Sequence, residues 1–306
     1  MILKANICFV PDSFDFSKDQ ESLALSIKAS SELIGKYLKN EGFILFSKSN
    51  DFDGFAASEL YQQPQHLDAG TIMKLLYDAN MNKVSTIAAL DSDSVVALVN
   101  SAKPEHDAAW MAVYSSDSSK TITTQVHRNI LDDKSMVEFC SDVLVNNPRT
   151  HGEYAKSFVQ LYRNLIFLDY PEHQINTTFD SIRKIEGGYQ CFIQGITNCL
   201  SFMDQYQIIP HDSLTNISNL NAKLEFPVTP EGSGKNKRTI AALKRDFFIG
   251  ETEYKNVNCE YHYKLERVDG ANGNGTYHYN RIYFGFFNRI NQDKPQIAIA
   301  HIGEHL

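Results

Sequence analysis

Near the carboxyl end, His262-x-Lys264 and Arg281-x-Tyr283 share one spacing. A period of two puts each pair on one face of an extended strand. If the two segments pair as a hairpin, all four side chains gather on one solvent face, within reach of each other across the ladder. Lys and Arg would hold a phosphodiester and stabilise charge developing on it, while His or Tyr moves the proton that RNA cleavage takes from the 2′-hydroxyl. That chemistry needs no metal. The same four residues also suit a plainer role, a charged outer face that keeps a hairpin soluble.

His301 opens the last segment, HIGEHL, whose two His and one Glu resemble metal ligands. A zinc site takes three or four ligands, and no Cys pair lies nearby, so no metal is expected. Strict alternation puts His301 on the side of Ile297 and Ile299. It therefore faces the interior, or the strand is buried on both sides, or a bulge intervenes.

Three strands must position these groups. VNCEYHYKLE and NRIYFGFF alternate with period two, QIAIAHIGE follows, and DGANGNGT and NQDKP supply turns. The expected unit is an antiparallel meander preceded by a short helix, TIAALKRDFF. Upstream, EGSGKNKR fails the P-loop pattern, because Thr229 stands where its first Gly belongs and Asn236 follows Lys235. Lys235, Lys237 and Arg238, with Lys244 and Arg245 beyond, instead suit a basic stretch that touches phosphate non-specifically.

Earlier segments read as an α/β region. ILKANICFV predicts a buried strand, Ser17 with Gln20 a capping box, and Leu23, Ile27, Ile34 and Leu38 the inner stripe of a helix; GFILFSK follows as a second strand. VSTIAAL, AAWMAVYSS and TITTQVH read as further strands. Thr150 and Glu153 form a second capping box before the stripe Tyr154, Phe158, Leu161, Tyr162 and Leu165. A further helix capped by Thr177 runs to Met203, with Gly187-Gly188 predicting a kink or a close helix crossing. The acidic pairs Asp51/Asp53 and Asp91/Asp93 read as turns or caps. Residues 207–238, rich in Asn, Ser, Pro and Gly, predict a linker or a long exposed loop, giving domains at 1–206 and 239–306.

Composition sets outer limits. The 306 residues are 42% hydrophobic and 22% charged, enough for a sizeable core. Basic against acidic residues number 17 to 27 over 1–220 (net −10) and 12 to 10 over 221–306 (net +2), together the stated −8. The acidic part repels nucleic acid at long range. No apolar run approaches the roughly 20 residues of a membrane span, so no membrane partner is expected. Five widely spaced cysteines suit reduced thiols in a cytoplasmic protein.

The H-x-K strand, the R-I-Y-F strand of Arg281–Phe284 and the H-I-G-E-H-L ending together resemble the compact C-terminal modules of bacterial toxin and phage-defence proteins, broadly the RelE/ParE/HigB toxin superfamily. The likeness covers about residues 239–306. It implies a small antiparallel sheet with one packed helix, and in RelE-type members metal-independent mRNA cleavage by basic and aromatic residues. By position it singles out Lys264, Arg281 and Tyr283, with His262 and His301 as proton-transfer groups. Relatives of the ParE kind share the scaffold without cutting RNA.

The expectation is thus an α+β protein: an α/β amino-terminal region with central helices, then a RelE/ParE-like module. It would be a toxin-like effector of a defence system that acts on RNA without a cofactor and is restrained by its amino-terminal region. The alternative is a non-catalytic accessory subunit docked to protein partners in an anti-phage complex.

Overall fold

The computed structural model describes residues 3–38, 42–62, 68–101, 110–117, 119–168, 188–231, 243–249, 252–265, 280–287 and 295–304. It is a mixed α/β protein whose chain divides into two compact units, Met1–Asn147 and Pro148–Leu306.

The first unit builds β1 (Ala5–Phe9), α1 (Gln20–Tyr37), β2 (Ile44–Ser49), α2 (Phe52–Gln62), α3 (Ala69–Leu76), β3 (Ser85–Ile87), α4 (Ser92–Ser101), β4 (Trp110–Tyr114), β5 (Asn129–Ile130) and α5 (Asp133–Asn146). Its sheet runs β3-β2-β1-β4-β5 with every pair parallel. Parallel strands bury both faces, which is why β4 is apolar and buried at every position. The cap of α1 is Asp19, which accepts from Ser22 N at 2.9 Å; Ser17 bonds Asp15 instead. Asp91 accepts from Ser94 N at the start of α4, and Asp51 accepts from Ser92, so both work as caps. TITTQVH forms no strand: Val126–Arg128 is a 3-10 turn leading into β5.

The second unit continues with α6 (His151–Leu161), β6 (Ile166–Phe167), α7 (Ile193–Gln205), α8 (Ser213–Asn221), β7 (Val228–Pro230), β8 (Lys244–Ile249), β9 (Thr252–Asn258), β10 (Tyr261–Lys264), β11 (Asn280–Phe287) and β12 (Gln296–Glu304). Thr150 and Glu153 make the expected capping box, with Thr150 N donating to Glu153 at 2.8 Å. The rings of Tyr154 and Phe158 then meet Tyr189. A 3-10 turn, Gly188–Cys191, precedes α7; the helix expected from Thr177 to 187 lies outside the described residues.

The main sheet runs β6-β12-β11-β10-β7. Its β12-β11-β10 core is the antiparallel meander expected from the alternation, with β7 added antiparallel and β6 parallel. Three expectations need correction. Residues 207–238 are not simply a linker, since α8 and β7 fold there, and the division of the chain falls at Asn147/Pro148. Asn221 clamps β7 by accepting from Val228 N and donating to Val228 O. Within the described residues, from Leu243 onward, the helix expected over TIAALKRDFF gives way to strand β8, because Phe247 is buried against Val257, Cys259 and Phe287, and burial outweighs helix propensity. No described residue of 239–306 lies in an α-helix. Finally, VNCEYHYKLE is two strands. β9 ends at Asn258 and β10 begins at Tyr261, and the chain passes from the β8-β9 hairpin into the main sheet at Cys259 and Glu260.

Candidate functional site

Register brings the chemistry together. His262 pairs with Tyr283 and Lys264 with Arg281 across β10-β11, while Thr229 of β7 pairs with His262 and His301 of β12 with Tyr283. Thr229, His262, Tyr283 and His301 therefore form one row across four strands, with Lys264 and Arg281 beside it on the same face. Isoleucines 282, 299 and 302 with Phe284 occupy the other, fully buried face.

His301 joins the row through a bulge. The β11-β12 register slips between Tyr283 and Phe284, leaving Ala300 unpaired. Ile299 thus stays on the apolar face while His301 turns to the polar one. Its ring lies 6.0 Å from that of Tyr283.

The face is closed, contrary to the open surface expected. His262 is 2% exposed, Arg281 8% and Tyr283 0%, whereas Lys264 and His301 are partly exposed. Farther along the same face, Gly285 lies under the hairpin so closely that a Cβ there would sit 2.1 Å from Asn258 O. At the polar end the occupant is Glu231, one residue past β7 and half of a buried ion pair. Its Oε1 accepts from Arg281 Nη1 at 2.8 Å and from Tyr283 Oη at 2.9 Å, and lies 3.4 Å from His262 Nδ1. Three groups able to donate converge on one carboxylate oxygen.

The imidazole tautomer follows from its neighbours. Arg281 Nη1 lies 3.0 Å from His262 Nε2 and has no lone pair to offer, so Nε2 is the acceptor and the proton sits on Nδ1, facing Glu231. Thr229 Oγ1, 2.9 Å from the same Nε2, then donates its hydroxyl proton.

Sequence reading found His262, Lys264, Arg281, Tyr283 and His301, and the structure places all five on one face. It missed Glu231 and Thr229, which lie in a stretch whose composition reads as linker; the three-residue apolar-polar pattern of β7 is too short to signal a strand. Of the expected phosphate contacts, Lys235, Lys237 and Arg238 lie outside the described residues. Lys244 is exposed on β8, and Arg245 donates to Lys244 O at 3.0 Å. Among the described residues, no three His, Cys, Asp or Glu side chains converge as metal ligands; His305 lies outside them. Likewise, no described helix is long and apolar enough to cross a membrane.

Comparison with models of known families, with curated proteins and with solved structures finds no match to this chain. The likeness to RelE/ParE-type modules therefore rests on the quoted sequence motifs. The fold and site define a two-unit α/β protein with a closed, anion-occupied polar face in its second unit.

Proposed function

We propose that the second unit is a toxin-like module acting on RNA, with Glu231 holding the place of a substrate phosphate. One observation carries this reading: Arg281, Tyr283 and His262 all address a single anionic oxygen, at 2.8, 2.9 and 3.4 Å. A phosphodiester oxygen has the same charge and acceptor chemistry. With Glu231 withdrawn, the 2′-hydroxyl oxygen attacks phosphorus and its proton passes to His262 Nε2. The P–O5′ bond then breaks, and the leaving oxygen takes a proton from His301 or Tyr283, giving a 2′,3′-cyclic phosphate. Arg281 and Lys264 stabilise the charge developing on phosphorus. No metal enters these steps. The restraint in this reading belongs to Glu231, within the second unit itself, and partner proteins of a defence complex are proposed as the agents that displace it.

A second reading has its own support. Arg281 is already neutralised, and its side chain and that of Glu231 are only 10% and 13% exposed, the condition of a purely structural pair. The protein would then be a non-catalytic subunit of a defence complex. Incubating wild type, Glu231→Gln and Arg281→Ala with single-stranded RNA in a metal chelator separates the two. Cleavage that rises in Glu231→Gln and falls about 100-fold or more in Arg281→Ala supports the first; a stable complex with a partner and no cleavage by any variant supports the second.

A further inference from the structure

We infer that Thr229 is a nucleophile, so that the site attacks phosphodiesters through a covalent phosphothreonine as well as through a substrate 2′-hydroxyl. The inference rests on the phosphodiester reading above and widens its substrate class to chains that lack the 2′-hydroxyl. Thr229 Oγ1 lies 2.9 Å from His262 Nε2, which the neighbouring guanidinium fixes as the acceptor. The imidazole's other nitrogen faces Glu231 Oε1 at 3.4 Å. The pairing of Thr229 with His262 does not depend on Glu231, so a hydroxyl and a base in the order that activates an alcohol in phosphoryl transfer stay together when the carboxylate withdraws. Arg281 Nη1, 3.0 Å from the base, supplies the cation beside the point of attack. Thr229 is also partly exposed, whereas His262 and Tyr283 are buried, so it is the member of this group that a substrate reaches first.

The step balances without a co-reactant beyond water. Oγ1 attacks phosphorus and its proton moves to Nε2. A new Oγ1–P bond forms as the P–O bond to the leaving group breaks; the departing oxygen carries away the electron pair and takes a proton from solvent, and His262 Nε2 returns its proton to solvent. Water, its proton passing to His262 Nε2, then attacks phosphorus; the Oγ1–P bond breaks and His262 returns the proton to Thr229 Oγ1.

The test uses the full-length protein and the p-nitrophenyl ester of deoxythymidine 5′-phosphate, which carries no 2′-hydroxyl. The expected result is a burst of nitrophenolate stoichiometric with protein and a deoxythymidylyl adduct mapped to Thr229 by mass spectrometry. Thr229→Val, of matching shape, should lose the adduct, and Thr229→Ser should keep it. No adduct in the wild type, or an adduct that survives in Thr229→Val, overturns the proposal. An RNA oligonucleotide assayed in parallel separates the two levels: RNA cleavage by a wild type that forms no adduct removes Thr229 and preserves the RNA reading, whereas absence of both RNA cleavage and adduct, including in Glu231→Gln, removes both.

Discussion

Glu231 answers a charge that the interior otherwise could not hold. Arg281 is almost wholly buried, and leaving such a cation unpaired costs about 3–5 kcal/mol. Glu231→Gln keeps the shape and removes the charge, so it should lower the stability of the second unit by about 3 kcal/mol in thermal or denaturant unfolding. If the face recognises phosphate, inorganic phosphate or a short oligonucleotide should recover part of that loss and do less for the wild type. Equal effects on both proteins would mark the network as structural. The thiols give an independent check at the same scale. Burial raises the Cys8 thiol to about 11 and the Cys259 thiol to about 12, while Cys140 and Cys199 are also pushed up. Cys191 is the partly exposed one. In the native protein an aromatic disulfide reagent at pH 8 should modify Cys191 fast and the other four slowly. The stabilisation from keeping the Cys8 thiol neutral is complete below its ordinary value of 9.0 and fades as pH climbs toward 11. A melting temperature that rises over that interval would contradict the assignment.

Single elements carry the geometry. Gly285 lets the Cys259 crossing pass over β11, and a methyl group there meets the Asn258 carbonyl at 2.1 Å, so Gly285→Ala should destabilise the second unit by about 1–3 kcal/mol in urea unfolding. An unchanged midpoint would mean the hairpin lifts freely. Thr150→Ala removes the hydroxyl that accepts from Glu153 N and should cost about 1 kcal/mol. These elements also show what was legible. The pairing of His262 with Tyr283 and of Lys264 with Arg281 could be read from alternation, because period two fixes a face whatever the turn between the strands. The placement of His301 could be read only as one alternative among three, since a one-residue bulge leaves no mark in residue types. Thr229 and Glu231 were illegible because β7 pairs with a strand some thirty residues later, a contact no local pattern encodes. Over its described residues, 243–248, the expected helix gives way for a related reason: Phe247 is held in a strand by residues from β9, β11 and β12.

At the scale of the molecule, each unit has its own sheet and its own buried residues, so fragments 1–147 and 148–306 should each unfold cooperatively when expressed separately. Residues 239–306 alone should not, since β6 and β7, which flank the meander, come from outside that segment. A cooperative melt of 239–306 would contradict the sheet described. The acidic balance of residues 1–220 makes any RNA binding depend on the local arrangement of Arg281, Lys264 and His262 rather than on overall charge. The most direct measurement is therefore cleavage of a defined single-stranded RNA, in chelator, by full-length Glu231→Gln compared with wild type and with Glu231→Gln/Arg281→Ala. The account predicts at least a tenfold (~1.4 kcal/mol) faster reaction in the single variant, lost again in the double variant. Equal rates in all three, or no cleavage by any, would contradict it.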